Sequence, residues 1–174
     1  MHEAGHAVYA MYVSAPVVSI DLNEINNFEY AYSMVDANKF SKENFVMYSV
    51  AGVVAQRVKW IGGIDATMFI VNVSHISNIL CAEDYSTLFL EYKKKVRRVL
   101  KGLRPAIVAL ADALVIAGSL RRRDIEKIAF KACPELKLKA QPRRPGLVEA
   151  AFNLASFVTK HKITSLPSTA CSGN

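Results

Sequence analysis

The sequence predicts a mainly α-helical domain with a small β-hairpin, or two to three short strands, after its first helix. Three observations carry this expectation. Apolar residues recur at helical spacing through most of the chain. β-Branched and alternating patterns are confined to one stretch between residues 17 and 36. Pro16, the Gly62-Gly63 pair, Pro105 and Gly118 punctuate the helical segments. At 174 residues, 52% hydrophobic and 21% charged, the chain is long enough to bury a core and has a folded protein's composition.

Residues 2–13 read as a helix, with Val8, Met11 and Tyr12 at helical spacing beside His2 and His6, and Pro16 stops it. "VVSIDL" (17–22) is β-branched and apolar, "FEYAYSMVD" (28–36) alternates, and "NEINN" separates them, which fits a hairpin. Residues 41–63 open on a serine cap, run helically and close on Gly62-Gly63. Residues 64–76 fit helix, strand or loop equally. From residue 82 to 101 a long helix sets Leu88, Leu90, Val96 and Val99 against a basic outer face. Pro105 starts another helix that ends near Gly118, and residues 120–132 form its hairpin partner. The expected organisation is a domain over 1–133, a basic proline-containing linker over 134–146, and a C-terminal helix with a tail over 147–174.

Formal net charge is +7, with the excess clustered at 92–98, 121–124 and 137–145. Aromatics are not interleaved with these runs in any nucleic-acid-reading motif, so no nucleic-acid partner is expected. Solvated helix faces and tails account for such runs more often than binding does. Cys81, Cys133 and Cys171 are dispersed and lack a CxxC pair, which argues against a disulfide framework and for a reducing compartment. No signal peptide is visible. The most apolar run, residues 105–120, is short for a membrane span and carries Asp112. A soluble, cytoplasmic protein is expected.

The chemistry concentrates in "MHEAGHAVYA" at the start. Positions i and i+4 share one face of a helix, so His2 and His6 can aim two imidazoles at one point. That spacing suits tetrahedral Zn²⁺, with room for another protein ligand and a water. Glu3 stands beside the first histidine, where it reaches the water rather than the metal, and is the candidate catalytic base. Ala4, Gly5 and Ala7 keep the helix slim, so that another segment can pack close. Taken alone, HExxH also arises by accident in hydrophobic helices.

Four ordered segments reach further than the motif. "HEAGHAVYA" resembles the zinc-binding helix of the FtsH-type (M41) metallopeptidases. "VVSIDL" matches the β-segment that follows it there, and "VAGVVAQRV" (50–58) matches a helix with an AGxxAE signature. "CAEDYSTLFLEY" (81–92) matches the segment in which an aspartate opens a long helix, and residues 103–128 are similar to the family's C-terminal helical hairpin. The resemblance covers about residues 1–130. It implies Zn²⁺ held by His2, His6 and Asp84, with Glu3 activating water for peptide-bond hydrolysis. It also implies homo-oligomeric assembly, since family members commonly form hexameric rings.

This chain departs from the pattern at Gln56, where the family has an acidic residue, and at "AED", where Glu83 rivals Asp84 as ligand. The family's ATPase module and membrane anchor are absent from the sequence. Expected substrates are therefore peptides, loosely folded proteins, or material delivered by a separate ATPase or adaptor. A catalytically inactive domain used for protein interaction is the alternative reading, and an anionic-polymer binder is a third. His75 and Cys81 are further possible ligands, against bland readings as a surface imidazole and a buried thiol. Tyr9 and Tyr85 fit an oxyanion role or the core equally, and Gly52 fits a close helix crossing. Asp65 and Asp112 have no assigned partner. Helix ends fray, and His2 falls in the first turn, so a chain start upstream of Met1 is expected.

Overall fold

The computed structural model describes residues 1–25, 28–59, 61–76 and 82–139. These carry seven α-helices and a three-stranded antiparallel sheet, as the mainly helical expectation requires. The compact unit runs from Met1 to Gln141. The expected C-terminal helix and tail lie outside the described residues.

Helix α1 (His2–Tyr12) is the centre of the fold, buried continuously from Ala4 to Met11. Its small residues make this possible, because helices α2, α4, α5 and α7 and the sheet all pack on it. A Cβ added to Gly5 would meet Ala55 Cβ at 2.4 Å and the Ala51 carbonyl oxygen at 2.9 Å. The α1–α2 crossing is therefore closer than any side chain at position 5 permits. After α1 the chain turns through Ser14, in the left-handed region at φ 63°, into the sheet.

Strand β1 (Val17–Ile25) pairs antiparallel with β2 (Phe28–Val35), as the alternation predicts. On its other edge β1 pairs with β3 (Ser119–Arg121), giving the order β2-β1-β3. At three residues, β3 is too short for periodicity to reveal. Asp21 ties the two strands together: its carboxylate accepts from Ser19 Oγ at 2.7 Å and Ser119 Oγ at 2.5 Å, and Arg121 stands 3.9 Å away.

Helix α2 (Lys42–Gln56) begins with the Ser41 hydroxyl accepting from the Asn44 amide at 3.2 Å, so the serine cap is where the sequence puts it. Its end differs from the expected run to Gly62-Gly63. Arg57 adopts φ 63°, and the buried Lys93 ammonium donates to the carbonyls of Val58 and Lys59 at 2.8 and 2.6 Å. Those two bonds satisfy carbonyls that a continuing helix would have bonded internally. Gly63, at φ 58°, then opens α3 (Gly63–Ser74), so the ambiguous stretch is a helix. Phe69 of α3 meets Phe89 and Tyr92 edge-on, with ring centroids 5.7 and 6.1 Å apart.

Helix α4 (Ala82–Gly102) carries both aromatics and Lys93. Helix α5 (Arg104–Ala117) ends on Gly118 at φ 69°, and α6 (Arg122–Ala132) follows β3. The expected linker begins instead as a short helix, α7 (Glu135–Lys139), because Leu136 is fully buried against the core. No described helix is long and apolar enough to cross a membrane.

Asp21 gives a stability test. Burial alone would raise its carboxyl, but the hydrogen bonds from Ser119 and Ser19 and the charge of Arg121 outweigh it and hold the group below its usual value. A depressed folded value contributes stability that is complete above the unfolded carboxylate range and is lost as pH falls through the folded one. Asp21→Asn should therefore cost about 1–3 kcal/mol in urea unfolding at neutral pH and flatten the acid limb of the stability curve. An acid limb as steep as wild type's would show that Asp21 contributes nothing to it.

Candidate metal centre

His2 and His6 project from one face of α1, one turn apart, toward α2 and α3. Their Nε2 atoms are 3.1 Å apart, and Asp65 Oδ2 lies 2.6 Å from the first and 3.3 Å from the second. Among the described residues, these three side chains form the group whose ligand atoms all lie within 4.8 Å of one another. His6 is 4% exposed while His2 and Asp65 are 26% and 20% exposed, so the cluster is anchored in the core and opens to solvent on one side.

Helix α2 supplies both outer contacts. The Tyr48 carbonyl accepts from His6 Nδ1 at 2.7 Å, and Gln56 Oε1 accepts from His2 Nδ1 at 3.0 Å. A carbonyl oxygen and an amide oxygen can only accept, so each Nδ1 carries hydrogen, and in a neutral ring Nε2 is then a bare lone pair. Gln56 thus orients His2 in the manner of a carboxylate, without its charge. Gly52 provides the space: a Cβ there would meet Nε2 of His2 at 2.4 Å and of His6 at 2.5 Å.

With both rings neutral, two imidazole lone pairs and a carboxylate oxygen would thereby converge on one place. Such an array is satisfied only by a positive centre, either a proton on one ring or a metal ion. Two nitrogens bound at about 2.0–2.1 Å to one tetrahedral zinc ion stand roughly 3.3 Å apart; the two Nε2 atoms and the His6–Asp65 pair are near this separation, while His2 and Asp65, at 2.6 Å, stand at hydrogen-bond distance. The electrostatics favour a proton shared between His2 and Asp65 when no metal is bound. Burial opposes a charged His2, but the hydrogen bond and charge of Asp65, with Glu3 and Gln56, raise its pKa above the usual imidazole value. Burial would likewise raise Asp65, yet the hydrogen bonds and charges of His2 and His6 hold it far below the usual carboxylate range.

Glu3 is half-buried beside the cluster, and burial raises its pKa against the charges of His6 and His2 and a hydrogen bond from Ser33. Ser33, on β2, also hydrogen-bonds the Tyr48 hydroxyl at 2.8 Å. Helix α1, strand β2 and helix α2 therefore meet at the candidate base.

The structure brings together His2, His6 and Glu3, but the carboxylate it sets against the histidines is Asp65. Asp84 is exposed in the first turn of α4 and is not in the group. The physical reason lies in the connection. Because α2 stops at Arg57 and α3 starts at Gly63, Asp65 falls in the first turn of a helix packed on α2. The sequence signal was the aspartate just past a glycine pair, in a stretch with no readable period. His75 is exposed at the end of α3 and outside the group. The side chains of Cys81 and Glu83 lie outside the described residues. Tyr9 is buried and its hydroxyl donates to Asn44 Oδ1 at 3.5 Å, while Tyr85 packs against the core. Asp112 is exposed, and Gly52 sits at a close crossing as its composition allows.

No protein-family model matches the chain, and neither does any curated protein.

Two variants test the geometry. Gly52→Ala should displace an imidazole and weaken zinc binding by about 100-fold or more, the scale on which ligand orientation acts, read by competition with a chromophoric chelator. Asp65→Ala should lose zinc while Asp84→Ala keeps it. The opposite pair of results would transfer the third position to Asp84.

Proposed function

We propose that the chain is a zinc-dependent peptidase in which His2, His6 and Asp65 hold the metal and Glu3 is the general base. The observation that carries this is the convergence of His2 Nε2, His6 Nε2 and Asp65 Oδ2, each pair of them within 3.3 Å. A carboxylate beside that point, on the same helix, completes the arrangement hydrolysis needs. Zinc, when bound, acidifies a water and polarises a carbonyl.

The remaining work falls to the chain's own groups. Glu3 takes a proton from the attacking water and returns it to the leaving amine. Its partial burial suits the task, because a carboxyl raised toward the working pH both accepts and releases a proton readily. Gln56 and the Tyr48 carbonyl keep both imidazoles turned with Nε2 inward. Strand β2 is an edge of the described sheet and carries Ser33, the hydrogen-bond partner of Glu3. An extended peptide adding to that edge would run past the base. Peptides and loosely folded proteins can present such an extended segment, and a separate ATPase or adaptor could deliver them.

A second reading has a specific observation behind it. With one imidazole protonated, the His2–Asp65 contact at 2.6 Å is a complete ion pair, and the domain could serve protein interaction without metal or turnover. The variant Glu3→Gln separates the two. It should keep zinc and lose about 10²–10⁴-fold in the rate of cleavage of a quenched peptide or casein. Zinc-loaded wild type with no turnover that depends on Glu3 would exclude the peptidase reading and leave the interaction module.

A further inference from the structure

Away from the histidines, an open recess of about 340 Å³ is lined by Arg57 at the end of α2, by Arg97 and Lys101 on α4, and by Arg104 at the start of α5. Buried Leu100 and Ile107 form part of its apolar floor, and no carboxylate lines it. We propose that this recess binds a phosphomonoester, a dianionic phosphate carrying a small apolar body.

Unlike a flat basic face, the recess is concave and sets its four cations around an apolar floor with no carboxylate in the lining. Elsewhere among the described residues, Lys95 pairs with Glu43 at 3.0 Å, Arg122 with Glu126 at 2.7 Å, and Arg121 faces Asp21 at 3.9 Å. Among the described residues, none of the four recess cations has an ion pair, so their mutual repulsion is left unrelieved. The backbone contributes both signs, because the C-terminal ends of α2 and α4 meet the N-terminal end of α5 here. Helix α5 opens at Arg104 with a proline in its first turn and no side-chain cap, so the positive end of that helix lies at the recess. Arg57 lines the recess from the left-handed C-cap of α2, at φ 63°.

The ligand class follows from the donors. Three guanidinium groups offer paired N–H donors that match phosphate oxygens, and an ammonium adds a point charge. A monoester fits better than free phosphate, because the floor is apolar and the volume falls within the range of small-molecule sites. The recess shares no lining residue with the candidate metal centre and does not depend on it.

The test is calorimetric titration of the full chain, without added zinc, at about 150 mM salt, where diffuse attraction is screened over roughly 8 Å. Phenyl phosphate should bind one per chain, about tenfold tighter than inorganic phosphate. The double variant Arg57→Gln/Arg104→Gln should lose about tenfold or more, as expected for lost charge-assisted hydrogen bonds. Lys95→Gln, a cation outside the recess, should bind as wild type does. If the double variant fails to fold, Lys101→Glu alone, at an exposed position, should abolish binding. Equal affinity for the two probes, or phenyl phosphate binding unchanged by these substitutions, would overturn the proposal. Binding only to vesicles containing phosphatidic acid, with none to phenyl phosphate, would also overturn it and make the patch a membrane contact.

Discussion

A glycine on each helix, Gly5 on α1 and Gly52 on α2, lets the two approach closely, and the candidate site exists because of that contact. Gly5 lets Ala51 and Ala55 approach α1 more closely than a methyl group would allow. Gly52, next to Ala51, leaves the volume that the two imidazoles fill. The same approach brings the Tyr48 carbonyl and the Gln56 amide within hydrogen-bond distance of the histidines. Widening the crossing would loosen the core and disorient both rings together, since overpacking of this kind typically costs about 1–3 kcal/mol.

The contact also explains how a histidine in the first turn of a helix can be held in place. A helix start has unsatisfied amides and frays unless something ties it down. Here Gln56 fixes one side of the His2 ring and Asp65 the other, from two different helices. Lys93 acts one step back, by fastening the carbonyls just after α2 from α4. Burial and the charge of Arg97 hold its ammonium below the usual lysine range. The two backbone carbonyls are its compensation for leaving water.

Much of this was legible in the residues, for reasons that are local. Helix α1, the hairpin, the Ser41 cap and the Gly118 stop each rest on a period or a turn residue within a few positions. His2 and His6 share a face by helix geometry alone, and Glu3 comes with them. What escaped depends on contacts between distant segments. Strand β3 exists only as a partner for β1, and α7 only because Leu136 finds a buried position. The early end of α2 depends on Lys93, far along the chain, and with it goes the placing of Asp65 beside the histidines. Gln56 is a departure from an acidic signature in sequence and an orienting acceptor in space.

In the proposed peptidase, His2 Nε2, His6 Nε2 and Asp65 Oδ2, from α1 and α3, hold a metal ion rather than a shared proton. Zinc-edge X-ray absorption on the purified full chain, with metal content measured on the same sample, tests this most directly. The account predicts one zinc per chain in a sulfur-free first shell of nitrogen and oxygen at about 2.0–2.1 Å, with the outer-ring scattering of two imidazoles. A chain that retains no stoichiometric zinc after zinc loading and dialysis, or a first shell containing sulfur or a single imidazole, would contradict it.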